Sequence, residues 1–403
     1  MKLLVVSNHL PRPQWGASAR NYHLLKALAR EHIVSLLTFA DSVQPAAPED
    51  LALLRKYTHT LTLVHRQSVQ AKRQQQLLSV LRGRSYLMNL LIVPEMQKTF
   101  EILLTSEHFD GVLFEGILIA GYRTPEGIKI IIDQHNLEYE VLQRTYEQEK
   151  PSLRKWYSGQ ESRLVKRGEL ERCRGANLVV VTSERERHLL QQELPQQTIA
   201  IVSNGVDIEG FTRDEAAPET PHKVIFTGTM DYYPNTQAAL FFAQQCWPLI
   251  RAQIPDATWQ IVGRTPPPEV QRLAQLPGVT VTGWVADMRP HLSGAAVAIA
   301  PLQIGGGTRL KILEALAMQR AVVSTSIGCE GLAVEPGKHL LVADQPAAFA
   351  EAVITLLQRA ELRKTLGEAG RALVETTYGW DRCGADLLQA VETLFKTGVK
   401  VCS

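Results

Sequence analysis

Residues 301–317 read Pro301-Leu302-Gln303-Ile304-Gly305-Gly306-Gly307-Thr308-Arg309-Leu310-Lys311-Ile312-Leu313-Glu314-Ala315-Leu316-Ala317. An apolar strand ends, three glycines follow, and an apolar-periodic helix begins. Adjacent glycines lack the Cβ that would keep a ligand from the backbone, so their N–H groups can point into one small volume. The helix adds its free N–H groups and the positive end of its dipole. This pattern predicts an anion site, most simply for a diphosphate. Thr308, Arg309 and Lys311 place a hydroxyl and two cations in the first helical turn. Cations there oppose the dipole, which calls for an anionic partner. Glu314 follows Lys311 by three residues on the same helix face. A carboxylate one turn inside an anion site suits sugar hydroxyls rather than phosphate.

Working outward, strand and helix patterns alternate along all 403 residues, the signature of parallel α/β domains. The length suits two domains. Strands are expected at Lys2–Ser7, Ile33–Thr38, Gly111–Glu115, Lys129–Asp133, Leu178–Thr182 and Ile199–Val202. Residues 49–105 read as helix-rich and partly basic, and Glu138–Arg174 as one long charged helical stretch. The turn cluster Ser203-Asn204-Gly205-Val206-Asp207 marks a junction. A second series of strands then follows at Val224–Thr227, Thr258–Val262, Val279–Thr282, Ala296–Ala300, Ala321–Ser324 and His339–Val342. Residues 346–374 and Asp381–Phe395 read as helices. The expected organisation is a domain over 1–203, a second over 204–377, and a helix in 378–403 that packs back on the first. Two such halves predict Rossmann-like domains facing across a cleft, with ligands beyond the carboxyl ends of the strands.

Composition agrees with a globular chain, at 45% hydrophobic and 21% charged residues. The opening apolar run is too short for a secretory signal core, and no run is long enough to span a bilayer. Five cysteines lie scattered without Cys-x-x-Cys spacing, which predicts a reducing cytoplasm and argues against a zinc site. Residues 1–203 hold 26 Lys+Arg against 21 Asp+Glu, whereas the remainder holds 17 against 20. A basic N-terminal half suits an anionic acceptor or peripheral contact with an anionic membrane; an ordinary solvated surface explains it as well. Nothing in the pattern points to nucleic acid.

Several further stretches, in order, resemble the retaining, nucleotide-sugar-dependent glycosyltransferases of family 4, which have the GT-B fold. They are Asn204-Gly205-Val206-Asp207, Phe226-Thr227-Gly228-Thr229-Met230, Ile261-Val262-Gly263, Gly283-Trp284-Val285-Ala286-Asp287, the Gly305–Ala317 block and Ala321-Val322-Val323-Ser324-Thr325. The Gly-Gly-Gly-Thr-Arg-Leu-Lys sequence is similar to that of envelope and exopolysaccharide sugar transferases. In the N-terminal half the resemblance rests on the first strand, the Gly16 loop and Asp133-Gln134-His135-Asn136.

The resemblance implies roles for these positions. Glu314 corresponds to the family's second Glu, which holds the ribose. Gly263 and Arg264 fall beside the base, and Val285 where a backbone group reads the base edge. Gly16 and Gly228 fall in donor loops, and His135 near the donor sugar. Gly305, Gly306, Gly307, Thr308, Arg309 and Lys311 would surround the diphosphate, with Arg309 and Lys311 stabilising the leaving group. Two departures stand out. Gly306 occupies the position of the family's first Glu, and the usual Arg and Lys after the Phe-x-Gly strand are replaced by Thr229-Met230-Asp231-Tyr232-Tyr233-Pro234-Asn235. The implied activity is sugar transfer with retention from a nucleotide diphosphate sugar to a glycan, lipid-linked or small-molecule acceptor. No cofactor is implied. The chain contains no Asp-x-Asp, in keeping with a metal-independent reaction. A non-hydrolysing nucleotide-sugar epimerase and a non-catalytic nucleotide-sugar-binding protein remain as alternatives, the second because of Gly306.

Overall fold

The computed structural model of the chain describes residues 1–13, 16–40, 46–65, 76, 78–79, 82–148, 151–213 and 219–396. The chain divides into two units, Met1–Ser203 with Asp381–Ser403, and Asn204–Trp380.

The first unit is built on a seven-stranded sheet. Its strands are β1 (Lys2–Ser7), β2 (Ile33–Ala40), β3 (Leu61–His65), β4 (Gly111–Glu115), β5 (Lys129–Asp133), β6 (Leu178–Val181) and β7 (Ile199–Ile201), in the order β3-β2-β1-β4-β5-β6-β7. Every pairing is parallel. Leu3, Leu4, Val5 and Val6 are buried on both faces, as a parallel sheet covered by helices requires. The order reverses between β1 and β4, where Ser7 lies in register with Glu115. Such a reversal opens a crevice at the carboxyl ends of the strands.

The second unit repeats the plan. Its strands are β8 (Lys223–Thr227), β9 (Thr258–Val262), β10 (Val279–Val281), β11 (Val297–Ala300), β12 (Ala321–Ser324) and β13 (Leu341–Val342), in the order β10-β9-β8-β11-β12-β13 and all parallel. The reversal falls between β8 and β11. Its core centres on Trp259, fully buried and edge-on to Phe242 at 4.7 Å between ring centroids.

The expected doubly wound α/β architecture is present, with four differences in detail. A strand, β3, lies inside the stretch read as helical. It is an edge strand with one buried residue, Val64, so its apolar signal is weak. The long charged stretch is two helices, Glu138–Gln148 and Leu153–Gly175. Ser152 caps the second helix by accepting from the Lys155 amide at 3.1 Å. The stretch 346–374 is likewise two helices, Pro346–Gln358 and Ala360–Thr377. Of the strand expected at His339–Val342, only Leu341–Val342 joins the sheet.

The helix Trp380–Lys396 buries Leu387 and Val391. From Asp381 onward it belongs to the first unit. A Cβ on Gly384 would stand 2.6 Å from the Ala27 methyl, so two small residues let this helix and Gly16–Leu28 approach closely. Among the described residues no helix is long and apolar enough to cross a membrane.

Candidate functional site

In the second unit, the loops after β8, β9 and β10 knit together through their backbones. The Gly228 amide donates to the Val262 carbonyl at 3.1 Å, Met230 to Arg264 at 2.9 Å, and Gly263 to Gly283 at 3.1 Å. Gly263 has φ +154°, and a Cβ there would meet the Gly228 carbonyl oxygen at 1.6 Å. Glycine is required at that contact.

The helix runs Leu310–Ala317 with Arg309 at its N-cap position, so of the three residues expected in its first turn only Lys311 lies there and Thr308 precedes it. Arg309 therefore does not sit in the first turn. Its guanidinium turns back and donates to the carbonyls of Gly306 and Gly307, and Nη2 reaches the Ile327 carbonyl at 3.4 Å. In a trans peptide the C=O and the next N–H point opposite ways. Holding those carbonyls turns the Gly307 and Thr308 amides away from the guanidinium. Thr308 is buried, and its Oγ1 has no hydrogen-bond partner among the described residues. Buried hydroxyls are normally satisfied, so an orphan beside a glycine loop is a ready ligand contact.

Lys311 is the cation that faces the β8 loop. Its Nζ donates to Asn235 Oδ1 at 2.7 Å and stands 4.2 Å from the centre of the Phe226 ring. Asn235 is held in turn by the Thr229 carbonyl, at 2.9 Å from its Nδ2. A Cβ on Gly228 would lie 2.9 Å from Lys311 Nζ, so lysine, asparagine and glycine backbone converge. Burial, and then Arg309, lowers the Lys311 ammonium to about 7, against the pull of Glu314. Burial raises Glu314 to about 7, and Lys311 opposes it. Lys311 Nζ bonds to Asn235, and no ion pair joins it to Glu314 among the described residues. Arg264 is exposed and Val285 partly buried, next to the exposed Trp284.

The first unit holds a different cluster at the carboxyl ends of β4 and β5. Glu115 and Asp133 are the last residues of those strands and lie in register. Both are buried, and His135 Nε2 lies 3.4 Å from Glu115 and 3.5 Å from Asp133. Arg20, fully buried, grips Asp133 with two bonds of 2.7 and 2.6 Å and donates to the Ser203 carbonyl at 3.1 Å. Burial opposes the Asp133 charge, but Arg20 overrides it and holds the carboxyl well below the usual range. Burial also disfavours the imidazolium, yet Asp133 and Glu115 raise His135 to about 9. Burial raises Glu115, with His135 working against it. The three groups are close enough to share a cation. Arg20 already supplies one to Asp133.

Glu115 and Asp133 were not among the expected site residues. Glu115 ends a plain apolar strand, and only the pairing of β4 with β5 brings it to His135. Gly16 is not a loop residue: it opens the helix Gly16–Leu28. The basic residues of the 49–105 stretch lie partly outside the described residues, which include Arg82 and Arg84.

A Glycosyltransferase Family 4 model matches residues 16–209, and a Glycosyl transferases group 1 model matches residues 221–359. The fold is GT-B, and the chain is a glycosyltransferase-family protein of that class. It is 27% identical over 232 residues, 55% of the chain, to a phosphatidyl-myo-inositol mannosyltransferase of Mycolicibacterium smegmatis. The chain spans about half the length of the curated relatives it matches, 42% and 58%. Among solved structures it is similar to sucrose-phosphate synthase from Thermosynechococcus elongatus, at a TM-score of 0.75 and 19% identity over 98% of this chain and 99% of that one. It is also similar to Anabaena Alr3699/HepE in complex with UDP and glucose, at a TM-score of 0.69 and 14% identity over 98% and 100%.

Proposed function

We propose that the chain transfers a sugar, with retention of anomeric configuration and without a metal ion, from a nucleotide diphosphate sugar to a glycan, lipid-linked or small-molecule acceptor. The observation that carries this reading is the convergence of Lys311, Asn235 and the Gly228 backbone beside a glycine loop with an unsatisfied Thr308 hydroxyl. The family models and the UDP and glucose bound to the Anabaena neighbour support it.

Breaking the glycosidic bond puts negative charge on the leaving diphosphate. In our reading Lys311, the Thr308 hydroxyl and the loop amides receive that charge. Preorganised donors of this kind are each worth about 100- to 1000-fold in rate. Arg309 acts on the same group through the loop, by aiming its amides. Glu314 accepts the ribose hydroxyls. Gly263 and Arg264 lie beside the base, and Val285 offers it a backbone group. His135, held protonated by Glu115 and Asp133, donates to a hydroxyl of the donor sugar. The four described cysteines are free thiols, which suits a reducing cytoplasm.

Incubation with a panel of nucleotide sugars tests the reading. Release of nucleoside diphosphate supports it, and NMR of the product anomer checks retention. An altered sugar on an intact nucleotide would instead mean an epimerase, and binding without turnover a nucleotide-sugar sensor.

A further inference from the structure

The first unit contains a cavity of 770 Å³ lined by none of the donor-site residues described above. Its walls come from the segment Arg82–Asn89, from Ala120–Arg123, and from one face of the helix Leu153–Gly175. Among the described residues, the ionisable groups on those walls, tyrosine apart, are five guanidiniums and one carboxylate: Arg82, Arg84, Arg123, Arg167, Arg172 and Glu171. Glu171 is taken by Arg167 at 2.9 Å. Arg172 forms the floor, donating to the carbonyls of Ile117 and Met88 at 2.7 Å each and of Leu118 at 3.2 Å. Among the described residues no carboxylate pairs with it, and burial lowers it to about 10. Arg82, Arg84 and Arg123 are exposed at the rim, and no side chain or carbonyl among the described residues accepts from their guanidiniums.

Five like charges around one hollow repel one another, with a single carboxylate to offset them. An ordinary solvated surface mixes signs. A planar guanidinium fork matches phosphate oxygens, and a tetrahedral phosphate can accept from several forks at once, where a carboxylate is filled by one. The volume falls in the range of small-molecule sites and exceeds what a bare phosphate fills.

We propose that this cavity binds a phosphorylated organic ligand, with its phosphate held by Arg82, Arg84 and Arg123 and Arg172 fixing the wall behind it. Carbonyls immobilise Arg172, and it ties the segment after β4 to the segment around Met88. The wall of the site is therefore in place before the ligand arrives. The phosphate is either that of a soluble phosphate ester or that of a lipid headgroup. The assignment does not depend on the donor site described above.

The test uses the full chain and a triple variant, Arg82→Gln, Arg84→Gln and Arg123→Gln, matched for melting temperature. Inorganic pyrophosphate is titrated into each by calorimetry at low and moderate salt. Binding at the donor loop is common to both proteins, so the difference isolates this cavity. We expect the variant to lose one binding event or at least about tenfold in affinity, and the loss to shrink as salt rises. Sedimentation with phosphatidylglycerol vesicles separates the sources. Pelleting that needs the three arginines points to a lipid headgroup, and pyrophosphate binding without pelleting points to a soluble ester. Superimposable pyrophosphate isotherms for the two proteins would overturn the proposal.

Discussion

Lys311 and Glu314 are one helical turn apart and both titrate near 7, which makes donor affinity depend on pH in a way that can be worked out. In the free protein Lys311 is lowered to about 7 by burial and Arg309. A bound diphosphate favours the ammonium, so binding takes up a proton wherever Lys311 is neutral beforehand. Affinity from this group is present below about 7 and lost as pH rises above it. Glu314 has the opposite sign. It must be a carboxylate to accept ribose hydroxyls, and burial raises it to about 7. Its contribution is present above about 7 and lost below. With both requirements, affinity peaks near neutrality and falls about 25-fold two pH units to either side, with a limiting slope of about tenfold per unit. A nucleotide sugar that turns over in the panel serves as ligand, because its two phosphodiester-like phosphates do not titrate in this range. Isothermal calorimetry at several pH values gives the curve, and in two buffers of different ionisation heat it also gives the proton uptake. Lys311→Met weakens binding at neutral pH and removes the alkaline limb, leaving the acid limb in place. Glu314→Gln does the reverse. If the Lys311→Met protein kept the alkaline limb, Lys311 would not be the group that meets the diphosphate, and the reasoning would fail. Stability supplies an independent check on the same lysine. A lowered ammonium makes the fold less stable as pH falls from 10.5 toward about 7, and the methionine variant lacks that slope.

Three further outcomes follow from single contacts. Gly263→Ala drives a methyl into the Gly228 carbonyl, so the β8 and β9 loops must part; we expect a loss of about 1–3 kcal/mol in urea unfolding together with weaker donor binding, and an unchanged midpoint would count against the close approach. Arg20→Met strips Asp133 of its buried partner and costs about 3–5 kcal/mol, much of it regained in the double variant with Asp133→Asn; equal stability of the single variant and the wild type would refute a structural role for the pair. Gly306 is not among the glycines with positive φ, so Gly306→Glu keeps the fold, within about 0.5 kcal/mol by melting. On our reading it also changes the ratio of turnover between two donor sugars by about tenfold, and an unaltered ratio would separate this position from the sugar.

How much of this was readable beforehand follows from the range of the interactions. The glycine loop and its helix announce themselves within seventeen residues, because a loop that exposes amides and a helix that begins beside it are local features. The parallel sheets were readable for a similar reason: strands buried on both faces are continuous apolar runs. The edge strand β3, covered on one side only, escaped. What the sequence does not disclose is which partner each polar atom takes. Lys311 finds Asn235 across 76 positions, and Arg20 finds Asp133 across 113. Both pairs exist because the sheet order places the carboxyl ends of distant strands side by side.

Arg309 shows the same limit at short range. Its charge and position suggest a phosphate ligand, yet its side chain is long enough to fold back on carbonyls two and three residues earlier. A cation next to a glycine loop can thus serve the anion in two ways, by touching it or by aiming the amides that do. The two roles predict different responses. Replacing a direct ligand with a shorter cation loses one contact, whereas replacing a loop-holding arginine with lysine loses a fork that grips two carbonyls and frees both peptides at once. Arg309→Lys is therefore expected to cost more donor affinity than Lys311→Arg, although both keep the charge. The opposite ranking, measured by calorimetry on the same nucleotide sugar, would return Arg309 to the role its position in the sequence first suggested.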